Sequence, residues 1–244
     1  MRKYELTDET KEIGGKTLHR IRALIDIPVH DVKAGDLGGW IEAEKNLSQK
    51  GAAWVADEAC VMGKALVTGS ALVTGSACVM SAALVTSSAC VTGSACVTDS
   101  AWVTSSAWVT GSACVTDSAW VTGSACVTDS AWVTGSACVT GSACVTGSAC
   151  VTGNAFVSGN ARVMESSDCI TIGAIGSRDD TTTFYRGTDG GIYVTCGCFS
   201  GTIDDFAIKV KEVHAGTKHE RTYLLAIELA KAQIGTDGKE SKGV

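Results

Sequence analysis

Proline is almost missing from the 244 residues, occurring once, and aromatic residues supply only 6%. Charged side chains make up just 19%, with 20 Lys and Arg against 26 Asp and Glu, for a formal net charge of −6. A nucleic-acid binder would normally carry a basic patch, so this balance argues against one. No apolar run reaches the roughly 18 residues of a spanning helix. The opening MRKYELTDETKE is polar and charged, without the apolar stretch of a secretory signal. A cytoplasmic location with reduced thiols is therefore expected, with no membrane and no nucleic acid among the partners. Against these absences stand 28 glycines, 12 cysteines and 45% hydrophobic residues. The length suits one or two domains with a sizeable core.

A six-residue repeat dominates the chain. Valine stands at 55, 61, 67 and every sixth position to Val163, and alanine stands two residues before each, giving 19 consecutive Ala-x-Val units. The commonest unit reads V-T-[GDS]-S-A-[CWL]. Periodicity this strict is read before any other signal. In an extended segment alternate residues face opposite sides. Ala and Val of A-x-V-T thus share one face, and x and Thr the other. The G-S or D-S pair that follows supplies turn chemistry. Each unit is one short strand and one corner, and three units close a triangular coil of 18 residues. Stacked coils pair their strands in parallel about 4.8 Å apart, so 19 units predict about six coils and a prism roughly 30 Å long. Residues six apart do not share a helical face, which excludes a helical reading.

This unit resembles the hexapeptide repeat of left-handed parallel β-helices, and the resemblance covers residues 53–164. It implies a left-handed crossover, an exception to the usual handedness. The expected class is mainly β, a triangular left-handed solenoid with an N-terminal β cap and a small C-terminal α+β domain. The divisions expected are 1–52 for the cap and first irregular coil, 53–164 for the β-helix, 165–236 for the terminal domain and 237–244 for a mobile tail.

Valine fills the prism, and each buried valine contributes about 1.5 kcal/mol or more. The outward positions fall into three columns: Trp54, Leu72, Cys90, Trp108, Cys126, Cys144 and Arg162; Cys60, Cys78, Cys96, Cys114, Trp132 and Cys150; and Leu66, Leu84, Trp102, Trp120, Cys138 and Phe156. Large apolar faces usually mark interfaces, so Trp102, Trp108, Trp120 and Trp132 are candidate contacts in a homo-oligomer, a trimer being one form. An ice-matching surface would need paired Thr columns, and here the partner of Thr is Cys, Trp or Leu. Stacked cysteines have Cβ atoms near 4.8 Å, beyond the preferred disulfide range of about 3.5–4.5 Å, so free thiols are expected. Zinc needs convergent tetrahedral ligands. The flat column Cys60, Cys78, Cys96 and Cys114 does not offer them, so soft-metal capture there is disfavoured and no metal site is expected.

The flanks lose the repeat. Lys3–Leu6 and Thr17–Leu24 read as strands joined near Gly14–Gly15, and residues 36–47 begin the first coil. Such a cap covers an otherwise open core and edge. Near the other end, Cys169–Ala174, Thr182–Arg186 and Ile192–Cys196 read as three strands, followed by helices from Thr202 to about His214 and from Lys218 to Ile234. Both flanks resemble uncharacterised hexapeptide-repeat proteins of bacteria, prophages and phages.

The best-known proteins of this fold are acyltransferases, which use a histidine base on a loop between subunits. Here the repeat holds no histidine and no insertion, since His19, His30, His214 and His219 all lie in the flanks. The expected protein is accordingly not an enzyme, with no catalytic residue and no cofactor. The segment from Ile175 to Arg186 combines glycine, hydroxyls, an aromatic ring and guanidinium groups. Such groups clamp phosphate and stack on a base. Ser177, Arg178, Thr182, Tyr185 and Arg186 are therefore the candidate ligand site. The main reading is a non-catalytic cytosolic binding protein of phage or prophage origin (host cytoplasm in the phage case), engaging a protein partner or sequestering a nucleotide-like anion. A self-assembling structural rod and an acyltransferase relative are the alternatives. Cys196-Gly-Cys198, with Cys169, His214 and His219, is a weak zinc signal without a second close pair.

Overall fold

The computed structural model describes residues 2–235, so the expected tail at 237–244 lies outside the described residues. Strands β1 (Tyr4–Ile13) and β2 (Lys16–Ala23) form an antiparallel hairpin, and β2 pairs with β3 (Leu37–Ile41). Nineteen two-residue strands follow, β4 (Trp54–Val55) to β22 (Arg162–Val163), one per six-residue unit. Each pairs in parallel with a strand 18 residues before or after it, as in Cys60↔Cys78 and Trp102↔Trp120. The result is a three-sided parallel β-solenoid of 18-residue coils. It starts one rung before the repeat, because Trp40 and Ile41 pair in parallel with Cys60 and Val61.

The physical basis is the one the repeat encodes. Every column valine from Val55 to Val163 is fully buried, and the alanines two residues earlier are buried beside them. The corner residue of each unit is Gly, Asp or Ser in the left-handed region, at φ between 52° and 74°. Glycine takes this conformation without penalty, and Asp tolerates it through local hydrogen bonds. Asp117 and Asp129 each accept bonds on one carboxylate oxygen from the Thr hydroxyl and Gly N–H of the next coil. These bonds hold both carboxyls below the usual carboxylate range.

The N-terminal hairpin changes the outer faces near its end of the solenoid. Trp54 and Cys60, expected to point outward into solvent, are buried, because Ile21 packs near Trp54, and Leu18 and Trp40 pack beside Cys60. Gly38 and Gly39 let β3 come this close: a Cβ on Gly38 would sit 2.6 Å from Trp54, and one on Gly39 2.6 Å from the Ala59 carbonyl. Strand β1 is also longer than the expected Lys3–Leu6, continuing past an irregularity between Leu6 and Thr10. Buried Lys3 donates to the Ala53 carbonyl at 2.6 Å, and Tyr4 donates to the Leu47 carbonyl at 2.7 Å.

Beyond the last coil an antiparallel sheet runs in the order β23 (Cys169–Ile175), β24 (Asp180–Arg186), β25 (Ile192–Cys196), β26 (Phe199–Thr202). The fourth strand is absent from the sequence reading. Phe199–Thr202 has no alternation to mark it, and its backbone joins the sheet only because β25 offers an open edge. Helices α1 (Ile203–His214) and α2 (Lys218–Ile234) pack on this sheet through Phe184, Phe206, Tyr223 and Ile227. The Thr202 side chain caps α1 by accepting from the Asp205 N–H, and Thr217 caps α2 by accepting from Glu220. The sheet also closes the solenoid. Thr195 donates to the Phe156 carbonyl at 2.6 Å, Thr183 accepts from the Phe156 N–H, and Tyr185 joins the valine core. No helix of the described residues is long and apolar enough to cross a membrane.

Candidate functional site

A cavity of about 430 Å³ lies between the terminal sheet and α1. Phe199, Phe206, Val210 and Val213 make its apolar walls, Arg178 and Lys209 supply cations, and His214 and Tyr223 supply titratable rings. Arg178 stands on the β23–β24 turn. Val210, Val213 and His214 share one side of α1, because residues three and four apart recur on neighbouring turns, and Lys209 stands at the rim of that side. His214 closes that helix and lies half-buried. Its ring centroid is 5.6 Å from Tyr223 and 5.9 Å from His219.

A short polar chain backs the cavity. Buried Thr182 donates to the Cys196 sulfur at 3.2 Å, and that thiol reaches the Tyr223 hydroxyl at 3.7 Å. Burial, with the bond to Cys196 second, pushes the Tyr223 hydroxyl up to about 12. Tyr223 therefore remains a neutral phenol, able to donate a hydrogen bond. A smaller cavity of about 290 Å³ lies between the last coil and the sheet, near Asn154, Phe156 and Ser200, and has no histidine in its wall.

The five candidate ligand residues do not converge. Ser177 and Arg178 line the larger cavity. Thr182 is fully buried behind it. Tyr185 points the other way, into the solenoid core, with its hydroxyl 3.2 Å from Ser158. Arg186 is engaged structurally: its Nε donates to Asp168 at 2.7 Å, and its terminal nitrogen donates to the Ile234 carbonyl at the end of α2. The alternation of a strand explains the split, since Thr182, Phe184 and Arg186 face one side of β24 and Thr183 and Tyr185 the other. Sequence reasoning missed Lys209, His214 and Tyr223 as cavity residues. Lys209 and His214 were both visible on the expected first helix, but the orientation of that helix was not.

The four tryptophans named as contacts are all solvent-exposed, from 40% at Trp102 to 54% at Trp108. Trp102 and Trp120 stack at 4.9 Å on one face, while Trp108 and Trp132 stand on the other two. The cysteines are free thiols, and the sulfurs of Cys60 and Cys78 approach to 2.9 Å.

No protein-family model matches the chain. The chain is similar to the uncharacterized acetyltransferase YdcK of Escherichia coli (strain K12), with 39% identity over 74 residues, 28% of this chain and 23% of that protein. The matched segment thus spans less than a quarter of that relative. This similarity overturns the expectation that the chain is not an enzyme, because the relative is named as an acetyltransferase and points to an enzyme family. The expectation rested on a repeat without histidine. The structure places His214, a flank residue, in a cavity of the terminal domain instead.

Proposed function

We propose that the chain is an acyltransferase related to the hexapeptide-repeat class, using an acyl thioester of coenzyme A as donor. The observation that carries this reading is the similarity to the acetyltransferase, set beside a solenoid of 18-residue coils. The cavity between α1 and the sheet is the proposed place for the reacting groups. Its residues fit such a donor: phenylalanine and valine walls suit a pantetheine arm, and Arg178 and Lys209 suit its phosphates.

Transfer moves the acyl carbon from the donor sulfur to an acceptor amine or hydroxyl. His214 takes the proton from the acceptor as the new bond forms and returns it to the departing thiolate. The neutral Tyr223 hydroxyl donates a hydrogen bond to the carbonyl oxygen as negative charge builds there.

Calorimetry with acetyl-CoA, followed by transfer assays on a panel of amines and sugars, tests this. Wild-type protein is expected to bind the donor, and His214→Ala to lose about 10²–10⁴-fold in turnover with binding retained. Arg178→Ala is expected to weaken binding itself. Absence of acetyl-CoA binding to the wild-type chain would overturn the reading.

Exposed tryptophans on all three faces favour a second feature of the same protein, self-association through the solenoid sides. The stacked pair Trp102–Trp120 offers the broadest aromatic contact.

A further inference from the structure

The residue after each column valine is threonine from Thr68 to Thr152, except at Met80, and Met62 stands one coil below it. Each of these methionines follows a Cys-Val pair, so the chain reads Cys60-Val61-Met62 and, 18 residues later, Cys78-Val79-Met80. Val61 and Val79 point into the prism and are fully buried. Cys and Met on either side of each therefore share the outer face. The two segments are in parallel register, Cys60 opposite Cys78, and the Met62 N–H donates to the Val79 carbonyl at 3.0 Å. Two cysteine and two methionine side chains thus fall in one cluster on one outer face.

The patch is also covered. Cys60 and Met62 are buried in a cluster with Leu18 and Trp40, against which Ile13, Cys78 and Met80 pack. Trp40 belongs to β3, and Lys11 and Arg20 flank its ring at 5.4 and 5.0 Å. The half-buried Cys78 and Met80 leave a route in from the open side of the face. Among the described residues no three His, Cys, Asp or Glu side chains gather as a metal site. Here two thiols are complemented by two thioethers, a donor set that hard cations disfavour and soft ones select.

We propose that Cys60, Cys78, Met62 and Met80 form a binding site for a soft monovalent cation, copper(I). The two thiols lose their protons to solvent on binding and become the strong ligands, and the methionines complete the coordination as neutral donors. Metal–thiolate bonds of about 2.3 Å place a bridged sulfur pair roughly 3.8–4.6 Å apart. The pair at 2.9 Å opens to that distance by side-chain rotation on strands about 4.8 Å apart. The apolar cover of Leu18 and Trp40 shields the Cys60 and Met62 side of the site. Cys96–Cys114 and Cys126–Cys144 are also stacked cysteine pairs, but Thr98 and Thr116, and Thr128 and Thr146, stand where the methionines would be.

Anaerobic titration of the full chain with copper(I) against a competing chromogenic chelator, with X-ray absorption on the product, tests the site. The tightest equivalent is expected to show sulfur-only coordination. Cys60→Ser/Cys78→Ser is expected to abolish it, and Cys96→Ser/Cys114→Ser to leave it unchanged. Met62→Thr/Met80→Thr restores the threonine of the other coils, so its fold is expected to persist by circular dichroism while affinity falls at least about ten-fold, close to 1.4 kcal/mol. Unchanged affinity in the methionine variant, or survival of the tightest equivalent without Cys60 and Cys78, would overturn the proposal.

Discussion

Replacing Gly123 by alanine and by aspartate separates the two forces that shape the solenoid corner. Gly123 sits at φ +72°, and a Cβ there would lie 2.8 Å from the Gly141 carbonyl oxygen and 2.9 Å from its nitrogen. Corners occupied by Asp99, Asp117 and Asp129 hold φ at 59°, a small rotation away. Alanine is expected to relax the same way but still meets the left-handed penalty of about 1–2 kcal/mol. With an unfolding slope near 3 kcal/mol/M in urea, that moves the midpoint down by roughly 0.3–0.7 M. Aspartate meets the same backbone penalty but gains acceptor bonds from Thr140 and the Gly141 N–H. Those groups stand where Thr134 and Gly135 bind Asp117. Gly123→Asp should therefore unfold at higher urea than Gly123→Ala at pH 7. The bound carboxyl of Asp117 lies below its ordinary value because of those same bonds. By analogy, the advantage of aspartate is present above the unfolded value of about 3.9 and is lost as pH falls through the lower folded value. Urea midpoints at pH 7 and pH 2.5, followed by circular dichroism, provide the measurement. Alanine matching aspartate at pH 7, or an aspartate advantage undiminished in acid, would refute the corner's dependence on this carboxylate bond.

Lys3 gives a second pH signature. Burial pulls its ammonium down to about 8, below the unfolded value of about 10.4. Between these values the unfolded chain holds more protons, so stability should rise with pH from about 8 to 10.4. Lys3→Met should flatten that slope in urea midpoints measured across the window. Association through the solenoid sides predicts a mass above that of one chain in light scattering. Trp102→Ser/Trp120→Ser should lower it, and a strictly monomeric wild-type protein at high concentration would reject the contact.

Much of the solenoid was legible from one column. Valine every sixth residue, alanine two before it and a turn pair after it admit few closed shapes. Val55 to Val163 fill the interior as that spacing requires. The ends were less legible because their contacts are not periodic. Trp54 and Cys60 occupy outward positions of the repeat and are buried because side chains of the N-terminal hairpin and of β3, the rung beside Cys60, pack against them. Strand β26 exists because β25 offers an edge, which no local pattern in Phe199–Thr202 announces. The candidate site was half-legible. Ser177 and Arg178 were picked out by composition, but Tyr185 and Arg186 face structural partners, and only helix packing brings Lys209, His214 and Tyr223 beside Arg178.

By itself, the sequence determined a three-sided parallel coil of 18 residues per turn, because each repeat position has one side of a strand or one corner to occupy. Tertiary structure decided which outer residues are covered, which face of β24 meets the helices, and where a histidine meets cations and apolar walls. Those outcomes depend on long-range packing of non-repeating segments, for which neighbours in sequence carry no record of neighbours in space.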